Sequence, residues 1–285
     1  MTSADTASAA AAILLDGPRV VVSIAAGALA PLALRVAGTG RWLPRAALGA
    51  GLLAAASLWL PDGGTAAVAL VAPYALVCAI AGALGARRLL ARPWPPSPSR
   101  IATSAGLIAL AGATAWLVAH RAGYALLGYP PVWVLLTAAH FHIAGAFLAI
   151  VLGQRVHGRG PWAGAIAIGC VAGVPLTAAG IFGPHALEVG AACFMAACTA
   201  AAACLLLVTP PDAPAHRWLR LAGAPLLAGM VLAGCYALRD LGAAIAIAGL
   251  DPLSSMIVTH GALDTLFAAL ALGALARQPP RALGA

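Results

Sequence analysis

Two short stretches hold the side chains best suited to chemistry: Thr137-Ala-Ala-His140-Phe-His142-Ile-Ala-Gly145 and Thr259-His260-Gly261-Ala-Leu-Asp264. Both lie inside apolar runs long enough to cross a bilayer. An ionisable group is costly there, so it faces protein or a polar cavity and marks a site. His260 and Asp264 are four apart and share one helix face. A carboxylate beside an imidazole holds its tautomer and raises its basicity, the orienting half of an acid–base dyad. A purely structural buried pair has the same spacing. His140 and His142 are two apart, about 200° around a regular helix, so one faces the site while the other bonds a neighbouring helix. Depth favours His142 for the site: it and Asp264 both lie roughly 16 Å below the external ends of their spans at the helical rise.

Other polar groups approach from the same side. Glu188 stands one turn into its span, with His185 on the same face, and Tyr236, Arg239 and Asp240 close another. Glu188 is a third candidate for proton transfer, and Tyr236, Arg239 and Asp240 are candidates for substrate binding. Plainer roles are a hydrated acid for Glu188 and a surface ion pair for Arg239 and Asp240. Gly145 and Gly261 would let the His-bearing turns approach neighbouring helices, since small residues govern packing in lipid. Pro175 and Pro225 interrupt their spans and could open backbone toward a cavity. His120, His157 and His216 fall in loops and receive no role.

The elements that must position these groups follow from composition. The 285 residues are 62% hydrophobic and 8% charged, with a mean hydropathy of +0.97, far from a soluble domain. Spans of about 20 apolar residues recur nine times, near 20–37, 44–60, 64–86, 101–119, 131–153, 161–182, 186–208, 217–237 and 253–276. The expected fold is an all-α polytopic transmembrane helix bundle forming one domain over 1–285. Residues 1–18 form an N-terminal tail without the basic region of a cleaved signal peptide. Residues 93–100, Pro93-Trp-Pro-Pro-Ser-Pro-Ser-Arg100, are a proline-rich connector that cannot be helical.

All 16 basic residues are arginines. Arg35, Arg41, Arg45, Arg87, Arg88, Arg92, Arg100, Arg155, Arg159, Arg217, Arg220, Arg277 and Arg281 fall on one side of a nine-span bundle; Arg19, Arg121 and Arg239 fall on the other. The positive-inside rule then places the N-terminus outside and the C-terminus in the cytoplasm. Because the arginines sit in short loops between apolar runs, they read as a topology signal and argue against nucleic-acid binding. The six cysteines lie inside spans without a C-x-x-C pair, as small packing residues.

The sequences His140-Phe141-His142-Ile143-Ala144-Gly145 and His260-Gly261-Ala262-Leu263-Asp264 resemble those of the YndJ-like family of bacterial membrane proteins. The resemblance runs from about residue 100 onward. It implies a multi-pass protein of the bacterial inner membrane, with a site at these motifs and Glu188 in the place of a family acid. Where the family pattern leads one to expect Asn, this chain has Asp264, which adds an ionisable group. Three functions compete. One is a cofactor-independent cyclase, isomerase or epoxide-opening enzyme acting on a lipophilic isoprenoid- or polyketide-like molecule, with Asp264 or Glu188 as acid and His260 or His142 as base. The second is a metal- or haem-binding oxidoreductase using the same histidines. The third, weakened by the lack of a repeat, is a small-molecule or proton-linked transporter. The expected partners are the bilayer and that lipophilic substrate.

Overall fold

A computed structural model describes residues 16–209, 214–239, 242 and 250–278. Among them are nine helices and no strand: α1 Asp16–Val36, α2 Trp42–Ser57, α3 Thr65–Leu90, α4 Pro98–Arg121, α5 Pro131–Arg155, α6 Pro161–Phe182, α7 His185–Leu207, α8 Pro214–Ala237 and α9 Pro252–Ala276. Eight are long and apolar enough to cross a membrane, and the chain is a multi-pass helical bundle. The ninth, α2, has only 16 residues, about 24 Å of helix. Residues 98–100 of the expected connector are helical, because Pro98 takes the first helical position and Ser97 caps it through the Arg100 amide. His120 and His216 lie in α4 and α8, not in loops.

Despite its length, α2 runs between the two faces of the bundle. Just before it, the carbonyls of Ala37 and Gly38 accept hydrogen bonds of 2.6 and 2.7 Å from Arg88 near the end of α3. Just after it, Asp62 binds Arg121 at the end of α4 and lies 3.8 Å from Arg19 near the start of α1. Successive helices therefore alternate in direction. Asp62 also lies 3.9 Å from His120, while the buried Arg121 donates to the carbonyls of Leu60 and Pro61 at 2.8 and 3.2 Å. Two of the three arginines on the arginine-poor face are thus tied to one carboxylate. A fully buried guanidinium needs this, since an uncompensated charge there is severely destabilising.

The central element is α5, 72% buried along its most apolar stretch against 28–56% for the other spans. It packs against α4 where Gly106 of α4 and Gly153 of α5 admit the partner backbone: a Cβ on Gly106 would come within 2.8 Å of the Ala146 carbonyl. Gly145 is less tight, its nearest neighbour being Ala109 at 3.2 Å, and Gly261 has ordinary clearance from Val21. The expected close approach at Gly261 does not occur. The α5 backbone widens into a π-helix over Phe141–Leu148, directly after His140. A similar segment, Ala25–Leu29, interrupts α1. At the other end of the site, Asp251 caps α9 by accepting from the Ser254 amide (3.0 Å) and hydroxyl (2.5 Å). Those bonds hold its carboxyl below the usual carboxylate range.

Two outcomes follow. Reporter fusions to the two termini should report opposite sides, with the C-terminus cytoplasmic; matching signals would remove α2 as a crossing element. Asp62→Ala should cost about 3 kcal/mol or more by leaving Arg121 uncompensated, read as a fall in the thermal midpoint of the detergent-solubilised protein.

Candidate functional site

Each of the three intramembrane histidines binds a backbone carbonyl through Nδ1. His140 reaches Leu136 at 3.1 Å, His142 reaches Ala138 at 2.8 Å, and His260 crosses to Gly229 of α8 at 3.1 Å. A carbonyl only accepts, so each Nδ1 carries the hydrogen and Nε2 is left for other partners. What Nε2 meets separates the three.

For His142, Nε2 lies 3.0 Å from the Tyr74 hydroxyl of α3, which must be the donor. The two rings stack at 6.0 Å with a 10° interplanar angle. His142 is fully buried and both nitrogens are satisfied, so it joins α5 to α3. His140 turns the other way, as two residues of helix require. Its ring sits 6.2 Å from that of His260. The assignment reached from depth is therefore reversed: His140 stands beside the second motif and His142 does not. Depth along two helices gives no information on the rotation of either, and rotation decides which residue faces α9.

For His260, Nε2 lies 3.4 Å from Oδ2 of Asp264. Because Nδ1 already bears a hydrogen, Nε2 faces the carboxyl group either as the lone-pair nitrogen of a neutral imidazole or as the second N–H of an imidazolium. Both residues are 8% exposed. The second carboxyl oxygen, Oδ1, is buried and has no hydrogen-bond partner among the described residues. It lies against Gly229, where a Cβ would come within 2.7 Å of it and 3.4 Å of His260 Nδ1. Gly229 thus supplies both a carbonyl for the imidazole and room for the carboxyl group.

These three side chains line two cavities. The larger, about 250 Å³, lies among α5–α9 and is mostly apolar. It also touches Glu188, Tyr236 and Arg239, so those expected residues share one space with His140, His260 and Asp264. Glu188 is half-exposed and 3.4 Å from His185. Arg239 stacks on the Tyr236 ring at 4.6 Å and donates to the Tyr236 carbonyl at 3.2 Å. Asp240 lies outside the described residues. The smaller cavity, about 50 Å³, lies on the opposite side of the cluster, toward Pro18 and Val21 of α1.

Sequence reasoning missed three contributors. Tyr74 and Gly229 look like ordinary packing residues in apolar helices, and nothing in their spacing marks them. Thr177 of α6 lines the larger cavity with a buried hydroxyl that has no hydrogen-bond partner among the described residues; a lone Thr in a span gives no such signal. Among the described residues, no three His, Cys, Asp or Glu side chains are placed to hold a metal ion.

Diethyl pyrocarbonate, which acylates an available imidazole nitrogen, should modify His140 in the detergent-solubilised protein and spare His142. Comparable labelling of both would contradict the orientation described. Tyr74→Phe should destabilise the protein by about 1–3 kcal/mol by orphaning His142 Nε2, with labelling of His140 unchanged.

The model of the YndJ-like protein family matches residues 20–268, from the first turns of α1 past Asp264 in α9. The match begins well before residue 100, so α1–α3, including Asp62 and Tyr74, fall within it. No curated protein and no solved structure matches the chain. With 249 of 285 residues inside the match (20 through 268), the chain belongs to the YndJ-like family.

Proposed function

We propose that this protein is a membrane-embedded acid–base enzyme that isomerises or cyclises a lipophilic small molecule in the larger cavity. One observation carries the reading: a carboxyl lies 3.4 Å from an imidazole at the wall of an apolar chamber, beside a second imidazole whose Nε2 has no partner among the described residues. Structural histidines in lipid satisfy both nitrogens, as His142 does. Among the described residues Asp264 Oδ1 is buried without a partner, at a cost of about 1–3 kcal/mol for a buried polar group, while the exposed His140 leaves Nε2 open toward the cavity. Costs of that kind are retained at functional sites.

Isomerisation and cyclisation need one proton delivered and one removed, with no net redox change. The His260–Asp264 pair holds the proton to be delivered to a double bond, carbonyl or strained ether oxygen. Nε2 of His140 takes the proton lost from a neighbouring carbon, on the same cavity wall. Apolar walls exclude water that would quench a cationic intermediate, and Thr177 offers a polar contact to orient the substrate. Glu188, Tyr236 and Arg239 stand toward the arginine-poor face, where a polar end of the substrate would sit. On the positive-inside rule that face is external, and the protein is a resident of the bacterial inner membrane.

The test compares lipid extracts of membranes carrying the wild type, Asp264→Asn or His140→Ala by high-resolution mass spectrometry. Wild type should generate a species of unchanged elemental composition and altered retention. Either variant should lower its formation roughly 10²- to 10⁴-fold, the usual worth of general acid–base catalysis, with wild-type amounts of folded protein. A wild-type product differing in mass by oxygen or hydrogen would refute the isomerase reading. Gly229→Ala, which displaces Asp264 Oδ1, should resemble Asp264→Asn.

A further inference from the structure

The turn between α1 and α2 carries a second site, on the arginine-rich face. Arg35, Arg41 and Arg45 line one groove of about 620 Å³ together with Gly38, Gly40 and Pro44. All three arginines are exposed. Their guanidinium groups have no hydrogen-bond or ion-pair partner among the described residues. Other arginines of this face are engaged by the protein: Arg88 with Ala37 and Gly38, Arg159 with Leu205, and Arg220 with Leu207. Three like charges around one groove repel each other, and an anion seated among them removes that repulsion.

The groove is built rather than incidental. Arg88 fixes the turn through two carbonyls, and the Thr39 hydroxyl donates to the Leu34 carbonyl at 3.0 Å. Gly38 and Gly40 adopt φ of 65° and 89°, conformations that L side chains rarely take. These contacts hold Arg35 and Arg41 on the same side of the reversal.

What lies beyond the groove selects the ligand. Arg41 immediately precedes α2, and Arg45, Leu48 and Leu52 follow it at helical spacing along one face of that helix. Leu48 and Leu52 are 50% and 57% exposed. Beside them Trp42 is 57% exposed, an amphipathic ring of the kind that settles at headgroup level. A charged cradle at the interface thus runs straight into an apolar track along the helix. We propose that this face binds an acidic phospholipid, its phosphate held by Arg35, Arg41 and Arg45 and one acyl chain lying along Leu48 and Leu52. Guanidinium forks match phosphate oxygens in pairs, which a merely basic surface does not achieve.

The test uses the full-length protein in detergent, with bound lipid counted by native mass spectrometry. The probes are phosphatidylglycerol, phosphatidylcholine and inorganic phosphate. Wild type should retain phosphatidylglycerol in preference to phosphatidylcholine. Arg41→Gln should weaken retention about five-fold and the triple change Arg35→Gln, Arg41→Gln, Arg45→Gln about 100-fold, from the usual worth of an arginine near an anionic lipid surface. A charge-matched control, Arg92→Gln with Arg217→Gln and Arg277→Gln, should bind as wild type. Leu48→Ser with Leu52→Ser should weaken lipid retention with the arginines intact. Equal loss in the control, or equal retention of phosphatidylcholine, would overturn the site as mere surface charge. Displacement of the lipid by equimolar inorganic phosphate would overturn the lipid assignment. Should the triple variant elute as aggregate, Arg41→Gln alone decides.

Discussion

A polar hydrogen inside hydrocarbon must find an acceptor, and in this bundle that rule fixes the chemistry of all three intramembrane histidines. Each donates Nδ1–H to a carbonyl, so each presents Nε2 in a known direction. The outcome at Nε2 then depends only on what the facing helix supplies. Tyr74 supplies a hydroxyl, and His142 becomes a tie between α3 and α5. Asp264 supplies a carboxyl group, and His260 becomes half of an imidazole–carboxyl pair 3.4 Å apart. Among the described residues His140 meets only the second imidazole ring and the cavity.

The same rule governs the ends of the helices. Arg121 is fully buried, yet Asp62 and two carbonyls answer its guanidinium. Arg88 answers the carbonyls left open where α1 ends. These contacts join the start of α1, the ends of α3 and α4, and both flanks of the short α2 into one frame. Against that frame α5 is held on several sides, so the rotation that sends His142 to α3 and His140 to α9 has little freedom. Buried groups of low conformational freedom give a site its geometry before any ligand arrives.

Much of this was legible in the sequence, and the exceptions share a cause. Every expected span has a helix, because runs of apolar residues are a direct consequence of bilayer thickness. The pairing of His260 with Asp264 follows from i,i+4 spacing alone. Spacing also required His140 and His142 to diverge, and they do. It could not say which one meets α9, since a helix that is apolar all round has no sequence signature for its rotation. Tyr74, Gly229 and Asp62 were invisible for a related reason. Their partners lie 68, 31 and 59 residues away respectively, and contacts of that range depend on how helices pack. The arginines of the first turn read as topology signals; only their convergence on one groove distinguishes Arg35, Arg41 and Arg45 from the rest.

Asp264 gains its meaning from Gly229. An asparagine at this position would keep the shape and could offer its amide hydrogens to His260, making a neutral structural pair. The carboxyl group instead leaves one oxygen without a donor among the described residues, against Gly229 of α8, where an added Cβ would crowd it. A site selected for stability alone would favour the fully satisfied arrangement that His142 already shows. The aspartate adds an exchangeable proton at the junction of two cavities, one large enough for an organic substrate and one the size of a water molecule or two. On the acid–base reading proposed above, proton transfer through that group gives a physical reason for tolerating an unsatisfied carboxyl oxygen in the middle of an apolar bundle.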